Sequence, residues 1–506
     1  MAKQQNLHAN VSNGNRLRSG CAGLDDALLG GFPSGHFYLF EGDPGAGKTT
    51  LALQFLIEGV KSGEKVLYIT LSESREDLLA VCRSHGFPSD GLEIFELLPS
   101  EEDLRPESQY TVFHPAEVEL NDRMKTIVKE VERVKPDRLV VDALSELRML
   151  SRDSLKYRRQ ILSMKDYLTD KTCTVLLLDD RTTRDDDLQL HSVVHGVIVM
   201  EKISRDYGDA RRRLEITKLR GSRYRAGYHD YAIKTGGVVV FPRLVAAQYR
   251  GDMKSSSVPS GIRELDTLVG GGLDRGTSTL LMGPAGCGKT TVSMQWVTAA
   301  AERGENCAIF IFEEGMHTFL TRAAGLGMDL HSQVQSGRIR IEQVDPAEMT
   351  PGEFTQRVKA SVEEYQSRVV VIDSLNGYLQ SMPGETYLAS HLHELLAYLN
   401  NRGVLTIVIL AQAGTIGSAM QTPVDISYLA DNILLLRYFE TQGEVRQAIS
   451  IIKKRSGAHE RTIRELALGP DRIRVGKPLK EFHGVLTGIP TYLGSSKPIT
   501  ENADGD

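Results

Sequence analysis

The chain is poor in cysteine, and the cysteines it has are not paired in the sequence. Five of its 506 residues are cysteine, and none of them belongs to a CxxC motif. Five isolated cysteines in a chain of this length suggest neither a zinc ribbon, which needs CxxC pairs, nor a disulfide framework, which needs a higher density of cysteine. We expect a reduced, cytoplasmic protein, because disulfides persist mainly in oxidising compartments.

Long apolar segments are missing as well. The N-terminus is polar and is not followed by the apolar segment of a secretion signal. The longest apolar runs, such as residues 404–411, are much shorter than the about 20 residues that a helix needs to cross a bilayer. We therefore expect no signal peptide and no membrane association.

An excess of basic residues is the third absence. The 60 Lys and Arg residues are outnumbered by 66 Asp and Glu residues, which gives a net charge of −6. Proteins that bind nucleic acids usually carry a basic surface, so nucleic acid is not expected as a partner. Residues 211–225 are locally basic and could form a nucleic-acid-binding face, but we favour a subunit interface for them.

What the chain does contain is a phosphate-binding loop. Residues 42–50 read GDPGAGKTT and satisfy the pattern GxxxxGK[ST]. Residues 36–41, which contain the apolar run 37–40, predict a strand before the loop, and the apolar spacing over residues 51–60 predicts a helix after it. In that setting backbone N–H groups converge on phosphate, the lysine reaches the β- and γ-phosphates, and the first threonine holds Mg²⁺. The predicted nucleotide-binding residues of this loop are Gly45, Ala46, Gly47, Lys48, Thr49 and Thr50, with Thr49 also a metal ligand.

The loop occurs a second time, 241 positions later, as GPAGCGKTT over residues 283–291. Glycines and acids around the two loops match at the same displacement, which indicates an internal duplication. We predict a flexible arm over residues 1–15, a first ATPase domain over 16–250, a second one over 251–492 and a disordered tail over 493–506. The predicted nucleotide-binding residues of the second loop are Gly286, Cys287, Gly288, Lys289, Thr290 and Thr291, with Thr290 also a metal ligand.

Strands and helices alternate within each repeat, which predicts an α/β fold with a mostly parallel, doubly wound sheet. Two of the predicted strands, over residues 138–142 and 368–373, end in an aspartate. A carboxylate at that point lies beside the phosphate-binding loop, where it can bind Mg²⁺ or its water shell. Asp142 and Asp373 are therefore predicted metal ligands.

Acids also follow the second predicted strand of each repeat, as Ser72-Glu73 and as Glu313-Glu314. A carboxylate at this point could face the γ-phosphate and polarise an attacking water or hydroxyl. The same acids could equally be a solvated pair at the start of a helix, where negative charge is favourable. We predict Glu73, Glu313 and Glu314 as catalytic residues, and Glu313 as a metal ligand as well.

This set of features resembles the KaiC family, whose members are tandem RecA-like ATPases related to the bacterial circadian clock component. The resemblance covers residues 18–492 and includes both loops, both acid-ended strands and the segment 430–436. It implies ATP and Mg²⁺ as cofactors and a homohexameric ring. Glu313 and Glu314 match the family's paired catalytic glutamates, and Glu73 is the one that the first repeat retains.

The resemblance also implies roles for two basic triplets and for a phosphorylation site. The triplets match residues that reach the nucleotide of the neighbouring subunit; they are Lys218, Leu219 and Arg220, and Lys453, Lys454 and Arg455. The clock proteins autophosphorylate an adjacent Ser-Thr pair, and the matching residues here are Ser427 and Tyr428. We therefore predict a serine/threonine autokinase with Ser427 as principal acceptor and Thr422 as a secondary one.

The expected partners are other copies of the chain and KaiB-like or signalling proteins. The longer tail that receives KaiA in the clock proteins is not recognisable after residues 488–491, so a KaiA-type partner is not expected. Stress-related or other signalling is favoured over a daily clock. The alternative function is a RecA- or RadA-like DNA-dependent ATPase of recombination or repair, although RadA relatives usually carry a four-cysteine zinc module. The first repeat, with Ser72 in place of a glutamate, could also be a nucleotide-gated scaffold.

Overall fold

The chain divides into two compact units, Met1–Arg243 and Leu244–Asp506, in a computed structural model. The dividing point lies a few residues before the boundary that we predict at residue 250. The structure describes residues 15–97, 115–151, 154–169, 172–181, 188–205, 207–251, 256–380, 387–412, 428–469, 473–486 and 491–492.

The first unit alternates strands with helices, as its sequence pattern predicts. Its strands are β1 (Arg16–Leu17), β2 (Phe32–Pro33), β3 (Phe37–Gly42), β4 (Val66–Thr70), β5 (Leu92–Glu96), β6 (Arg138–Asp142), β7 (Thr174–Asp180), β8 (Gly196–Ile203), β9 (Arg211–Leu219), β10 (Tyr228–Lys234) and β11 (Gly237–Phe241). Its helices are α1 (Ala22–Ala27), α2 (Lys48–Lys61), α3 (Arg75–His85), α4 (Pro115–Val134), α5 (Leu144–Leu150), α6 (Ser154–Thr169) and α7 (Leu188–Val193).

Nine of these strands form one sheet in the order β11-β10-β9-β8-β3-β7-β6-β4-β5, and β1 pairs with β2 in a separate two-stranded sheet. The strands from β8 to β5 in that order are parallel, and β9, β10 and β11 extend the sheet as an antiparallel edge. All residues of β3, β4 and β6 are buried, because helices cover both faces of a parallel sheet. The phosphate-binding loop follows β3, a central strand.

The second unit repeats this plan. Its strands are β12 (Ser257–Val258), β13 (Leu273–Asp274), β14 (Ser278–Gly283), β15 (Cys307–Ile311), β16 (Ile339–Gln343), β17 (Val369–Asp373), β18 (Leu405–Ala411), β19 (Asn432–Thr441), β20 (Glu444–Lys454), β21 (Arg464–Leu468), β22 (Ile473–Pro478), β23 (Phe482–His483) and β24 (Thr491–Tyr492). Its helices are α8 (Arg263–Leu268), α9 (Lys289–Glu302), α10 (Met316–Gly325), α11 (Leu330–Gln335), α12 (Pro351–Glu363), α13 (Leu375–Gln380) and α14 (Leu388–Asn401).

The large sheet of the second unit has the order β16-β15-β17-β18-β14-β19-β20-β21-β22. It is parallel from β16 to β19 and antiparallel beyond, so the two units share one topology. The predicted fold class, two tandem RecA-like α/β units with doubly wound sheets, is confirmed.

Each unit has its own hydrophobic core on both faces of its sheet. In the second unit Trp296 of α9 is fully buried, and its indole N–H donates to the Val258 carbonyl at 3.2 Å. Within the described part of the chain, no helix is long and apolar enough to cross a membrane.

Candidate nucleotide-binding sites

Both glycine-rich loops connect a central strand to a helix. The first lies between the end of β3 at Gly42 and the start of α2 at Lys48, and the second lies between Gly283 and Lys289. Helix α2 begins three residues earlier than the apolar spacing alone indicates, because the lysine and both threonines form its first turn. Helix α9 likewise begins at the lysine of its loop. The free backbone N–H groups of a first turn attract phosphate, so both loops are built to receive an anion.

The last glycine of each loop has no room for a side chain. Gly47 has φ +94°, and a Cβ there would lie 2.7 Å from Ile233 Cδ1. Gly288 has φ +98°, and its Cβ would lie 2.6 Å from Leu468 Cδ1. Positive φ is readily adopted only by glycine, so backbone conformation and packing both select glycine here.

The two P-loop lysines are buried and differ in their contacts. Lys48 Nζ donates to the Gly42 carbonyl at 2.8 Å and to the Asp180 carboxylate at 2.8 Å. Lys289 Nζ donates to the Pro284 carbonyl at 2.7 Å and lies 3.9 Å from the Cys287 sulfur. Both ammonium groups therefore lie inside their loops, where a bound phosphate would sit.

The threonine after each lysine is hydrogen-bonded to the predicted aspartate. Thr49 Oγ1 lies 3.1 Å from Asp142 Oδ2, and Thr290 Oγ1 lies 2.7 Å from Asp373 Oδ2. Burial raises the pKa of both carboxyl groups. The structure thus brings together, in each unit, the hydroxyl and the carboxylate that the sequence predicts as metal ligands.

These oxygens suit Mg²⁺, which binds through one or two carboxylates plus phosphate oxygens and keeps several waters. No cluster of three His, Cys, Asp or Glu side chains able to hold a metal occurs among the described residues. Most ligands of an ion at either loop would therefore come from nucleotide and water. Thr49 and Asp142 would hold it in the first unit, and Thr290 and Asp373 in the second.

Around Asp142 the first unit is crowded with polar groups. Tyr68 donates its hydroxyl to Asp142 Oδ2 at 2.5 Å. Glu73 follows β4, next to β6, and its backbone N–H donates to Thr70 Oγ1 at 3.0 Å. Its pKa is raised by burial, by Asp142 and by Asp77. The Asp142 carboxylate is therefore close enough to Glu73 to repel its negative charge.

In the second unit the two predicted glutamates make different contacts. Glu313 Oε1 accepts a hydrogen bond from Ser374 Oγ at 2.9 Å, and Ser374 follows Asp373 directly. Glu314 forms an ion pair with Arg322 of α10 at 2.7 Å. Both glutamates raise the pKa of Asp373. Glu313 therefore faces the metal-binding end of the sheet, whereas the charge of Glu314 is already paired.

A cavity of about 510 Å³ opens at the second loop. Its lining includes five predicted nucleotide-binding residues together with Arg322 and Leu468; those five are Gly286, Gly288, Lys289, Thr290 and Thr291. Its volume falls in the range of small-molecule and cofactor pockets.

The basic triplets lie at the ends of β9 and β20, and not all of their side chains are available to a ligand. Leu219 is part of the hydrophobic core, and Lys454 is buried with its ammonium 2.6 Å from the Val269 carbonyl. Lys218 donates to the Val194 carbonyl at 2.9 Å, and Arg220 donates to the Ser192 carbonyl at 2.5 Å.

In the second triplet Arg455 is half exposed and donates to the Tyr428 carbonyl at 3.0 Å. Burial and Arg455 both lower the pKa of Lys453. We therefore restrict the interpretation of the triplets as nucleotide ligands to their first and third residues. The predicted acceptors Ser427 and Thr422 lie outside the described residues.

Sequence reasoning missed three groups at these sites, namely Tyr68, Asp180 and Arg322. Tyr68 and Arg322 carry no local signal, because a buried tyrosine in a strand and an arginine on a helix are ordinary. Asp180 had a signal, since two acids follow an apolar run of residues there, as Glu313 and Glu314 do in the second unit. Only the strand order places it beside Lys48.

Comparison with known proteins agrees with this geometry. The sequence model of the ATPase family described as KaiC matches residues 17–245 and again residues 258–480. The chain belongs to the KaiC family. The circadian clock protein KaiC3 of Synechocystis sp. is 26% identical over 492 residues, which cover 95% of this chain and 96% of that protein.

Other KaiC relatives are similar to the same extent. The circadian clock oscillator protein KaiC of Parathermosynechococcus lividus is 27% identical over 498 residues, 94% of this chain and 88% of its own. The KaiC of Synechococcus elongatus is 25% identical over 491 residues, 94% of this chain and 92% of its own. The KaiC match thus extends over both units.

Proposed function

We propose that the chain is a Mg²⁺-dependent ATPase with two nucleotide sites and that its second unit is also a serine autokinase, acting in circadian-type or stress signalling. One observation carries the proposal: at both loops, the threonine that follows the buried lysine is hydrogen-bonded to the aspartate at the end of a neighbouring strand. This arrangement supplies a phosphate cradle and a metal site in each unit.

Each group then has a defined role. The loop N–H groups and Lys48 or Lys289 bind the phosphates and hold the γ-phosphoryl group in position. Mg²⁺ would neutralise charge on the β- and γ-phosphates. Glu73 in the first unit and Glu313 in the second orient the attacking oxygen and accept its proton. The raised pKa of Glu73 suits it to that role in the first unit.

Two nucleotides should bind per chain, because both loops are intact. Equilibrium titration is expected to give two sites in the wild type and one in Lys48→Ala or Lys289→Ala, with Mg-ATP hydrolysis lost at the altered site. A stoichiometry of one in the wild type contradicts the proposal. Measuring ATP hydrolysis with and without single-stranded DNA distinguishes the proposal from the recombination alternative. DNA should strongly stimulate hydrolysis by a DNA-dependent ATPase and should not affect hydrolysis by a signalling ATPase.

The kinase proposal concerns the second unit, where Glu313 is the candidate base and Ser427 the candidate acceptor. Phosphoryl transfer needs a hydroxyl in line with the γ-phosphate and a carboxylate to take its proton. After incubation with Mg-ATP, mass spectrometry is expected to find phosphate mainly on Ser427 and less on Thr422. The phosphate should disappear in Ser427→Ala and in Glu313→Gln. The kinase proposal fails if Ser427→Ala is phosphorylated as much as the wild type, or if the wild type carries no phosphate. The second unit would then be an ATPase without kinase activity.

A further inference from the structure

The two nucleotide sites differ at one position beside the P-loop. In the first unit β7 ends at Asp180, which pairs in register with Gly42. In the second unit the corresponding strand, β18, ends at Ala411, which pairs with Gly283. Asp180 and Ala411 therefore occupy equivalent points of equivalent strands, and a carboxylate in one unit is replaced by a methyl group in the other.

The carboxylate of Asp180 contacts the group that a nucleotide needs. Its Oδ1 lies 2.8 Å from Lys48 Nζ, and the side chains are 44% and 9% exposed respectively. Lys289 has only the Pro284 carbonyl and the Cys287 sulfur as partners, and no carboxylate of the described chain lies within ion-pair distance of it. The first lysine is thus neutralised internally, and the second is not.

The strand on the other side of each P-loop strand also carries different residues in the two units. Glu201 follows the residue paired with Gly42, and it accepts hydrogen bonds from Arg181 and Arg213 at 2.7 Å each. The equivalent residue of the second unit is Arg437, whose Nε and Nη1 are buried and have no hydrogen-bond partner among the residues that the structure describes. Glu201 is already paired with two arginines, so Asp180 is the acid that bears on the lysine of the first loop.

We propose that Asp180 is an internal competitor at the first nucleotide site: its carboxylate occupies Lys48 when the site is empty and must be displaced before phosphates bind. Asp180 therefore makes nucleotide binding at the first site weaker than it would be without this carboxylate. This inference rests on the proposed function, namely that both loops bind nucleotide. The apparent affinity of a site falls in proportion to the fraction of molecules in which it is competent to bind.

The competition also affects discrimination between nucleotides. The P-loop lysine contacts the β- and γ-phosphates, so the γ-phosphoryl group of ATP brings its charge to the position that Asp180 holds. ADP brings less charge there. Asp180 should therefore weaken the binding of ATP more than that of ADP, an effect that a purely structural role would not produce.

A reciprocal exchange tests the proposal. Fluorescent ATP and ADP analogues are titrated into full-length Lys289→Ala, where the first site remains, and into Lys48→Ala, where the second remains. Adding Asp180→Ala to the former should tighten ATP binding by about two- to fivefold, as expected for an ion pair with one partner largely exposed. Adding Ala411→Asp to the latter should weaken it by a similar factor, and both changes should be smaller for ADP.

Asp90→Ala is the matched control, because it removes an exposed acid of the first unit. It should leave both affinities unchanged. Unchanged affinity in Asp180→Ala, or in Ala411→Asp should Asp180→Ala not fold, overturns the inference and leaves nucleotide binding intact. Absence of binding in both parental lysine variants would instead overturn the proposed function, and the inference with it.

Discussion

At the scale of single residues, the role that we propose for Asp142 as a metal ligand requires a charge that lowers stability. Its side chain is buried, and one of its oxygens accepts hydrogen bonds from both Thr49 and Tyr68. Burial raises its pKa in the folded protein. A raised folded pKa means that the ionised form is less favourable in the native state than in the unfolded chain, so the charge lowers stability above that pKa.

Replacing this charge by a neutral amide should therefore stabilise the nucleotide-free protein and abolish its activity. We expect Asp142→Asn to raise the melting temperature by about 2–4 °C, the shift that corresponds to 1 kcal/mol in a unit of this size. The gain should shrink as the pH falls through the raised pKa of Asp142, because protonation then removes the same charge from the wild type. Mg-ATP hydrolysis by the first site, measured in Lys289→Ala, should be lost.

Calorimetry across pH checks this expectation, with Asp90→Asn as the exposed control that should not change the melting temperature. A lower melting temperature for Asp142→Asn at neutral pH would show that the ionised carboxylate stabilises the fold.

The antiparallel strands support the P-loop at the scale of elements. Gly47 packs against Ile233 of β10 and Val238 of β11, and Gly288 packs against Leu468 of β21. Strands β10, β11 and β21 do not neighbour the P-loop strand in their sheets, yet they pack against the phosphate-binding loop. A substitution in these antiparallel strands should therefore alter the conformation or stability of the loop, although none of their residues belongs to the sequence motif.

A methyl group at position 47 tests this support. Gly47→Ala should lower the free energy of unfolding by about 1–3 kcal/mol, since it adds both positive-φ strain and overpacking. Gly63→Ala carries a similar φ of +77° with open space around it, so it isolates the backbone term. Ile233→Val removes the crowding Cδ1 atom and should restore part of the loss in the double variant.

The free energies of unfolding are compared by urea denaturation of the wild type, Gly47→Ala, Gly63→Ala and the Gly47→Ala, Ile233→Val double variant. Equal losses in Gly47→Ala and Gly63→Ala, or no recovery in the double variant, would mean that β10 does not bear on the loop.

The sequence allows the parallel part of each sheet to be predicted well, because buried strands read as continuous apolar runs. It predicts the end of β7 less well. The apolar run stops at Leu178, so Asp179 and Asp180 look like loop residues, whereas the strand continues to Asp180. Its neighbours β3 and β6 come from distant parts of the chain, and strand order decides what an acid at a strand end faces. The local sequence pattern was therefore enough to select Asp142 as a candidate metal ligand, but it did not select Asp180.

At the scale of the whole molecule, the basic triplets bear on assembly. Lys218 and Arg220 donate to backbone carbonyls at the end of α7, weak partners that a phosphate could replace. We propose a homohexamer in which a neighbour's nucleotide at the first unit takes that place. Binding energy at such a shared site adds to the free energy of assembly.

Light scattering should show six 55.9 kDa chains with a slowly hydrolysed ATP analogue and smaller species without nucleotide. The Lys218→Ala, Arg220→Ala double variant should still bind nucleotide but assemble poorly. Replacing Lys61, at the end of α2, by alanine is the control and should not affect assembly. A single species under both conditions would refute the nucleotide-dependent ring.

The burial of Trp296 has a consequence for how this chain can be observed. It is the single tryptophan of the sequence, and it lies in the core of the second unit on the helix that begins at Lys289. Indole emission excited beyond the absorption of tyrosine therefore comes from the second unit alone. The chain carries an intrinsic optical label that separates its two similar halves, and events at the first site are spectroscopically silent unless they reach the second.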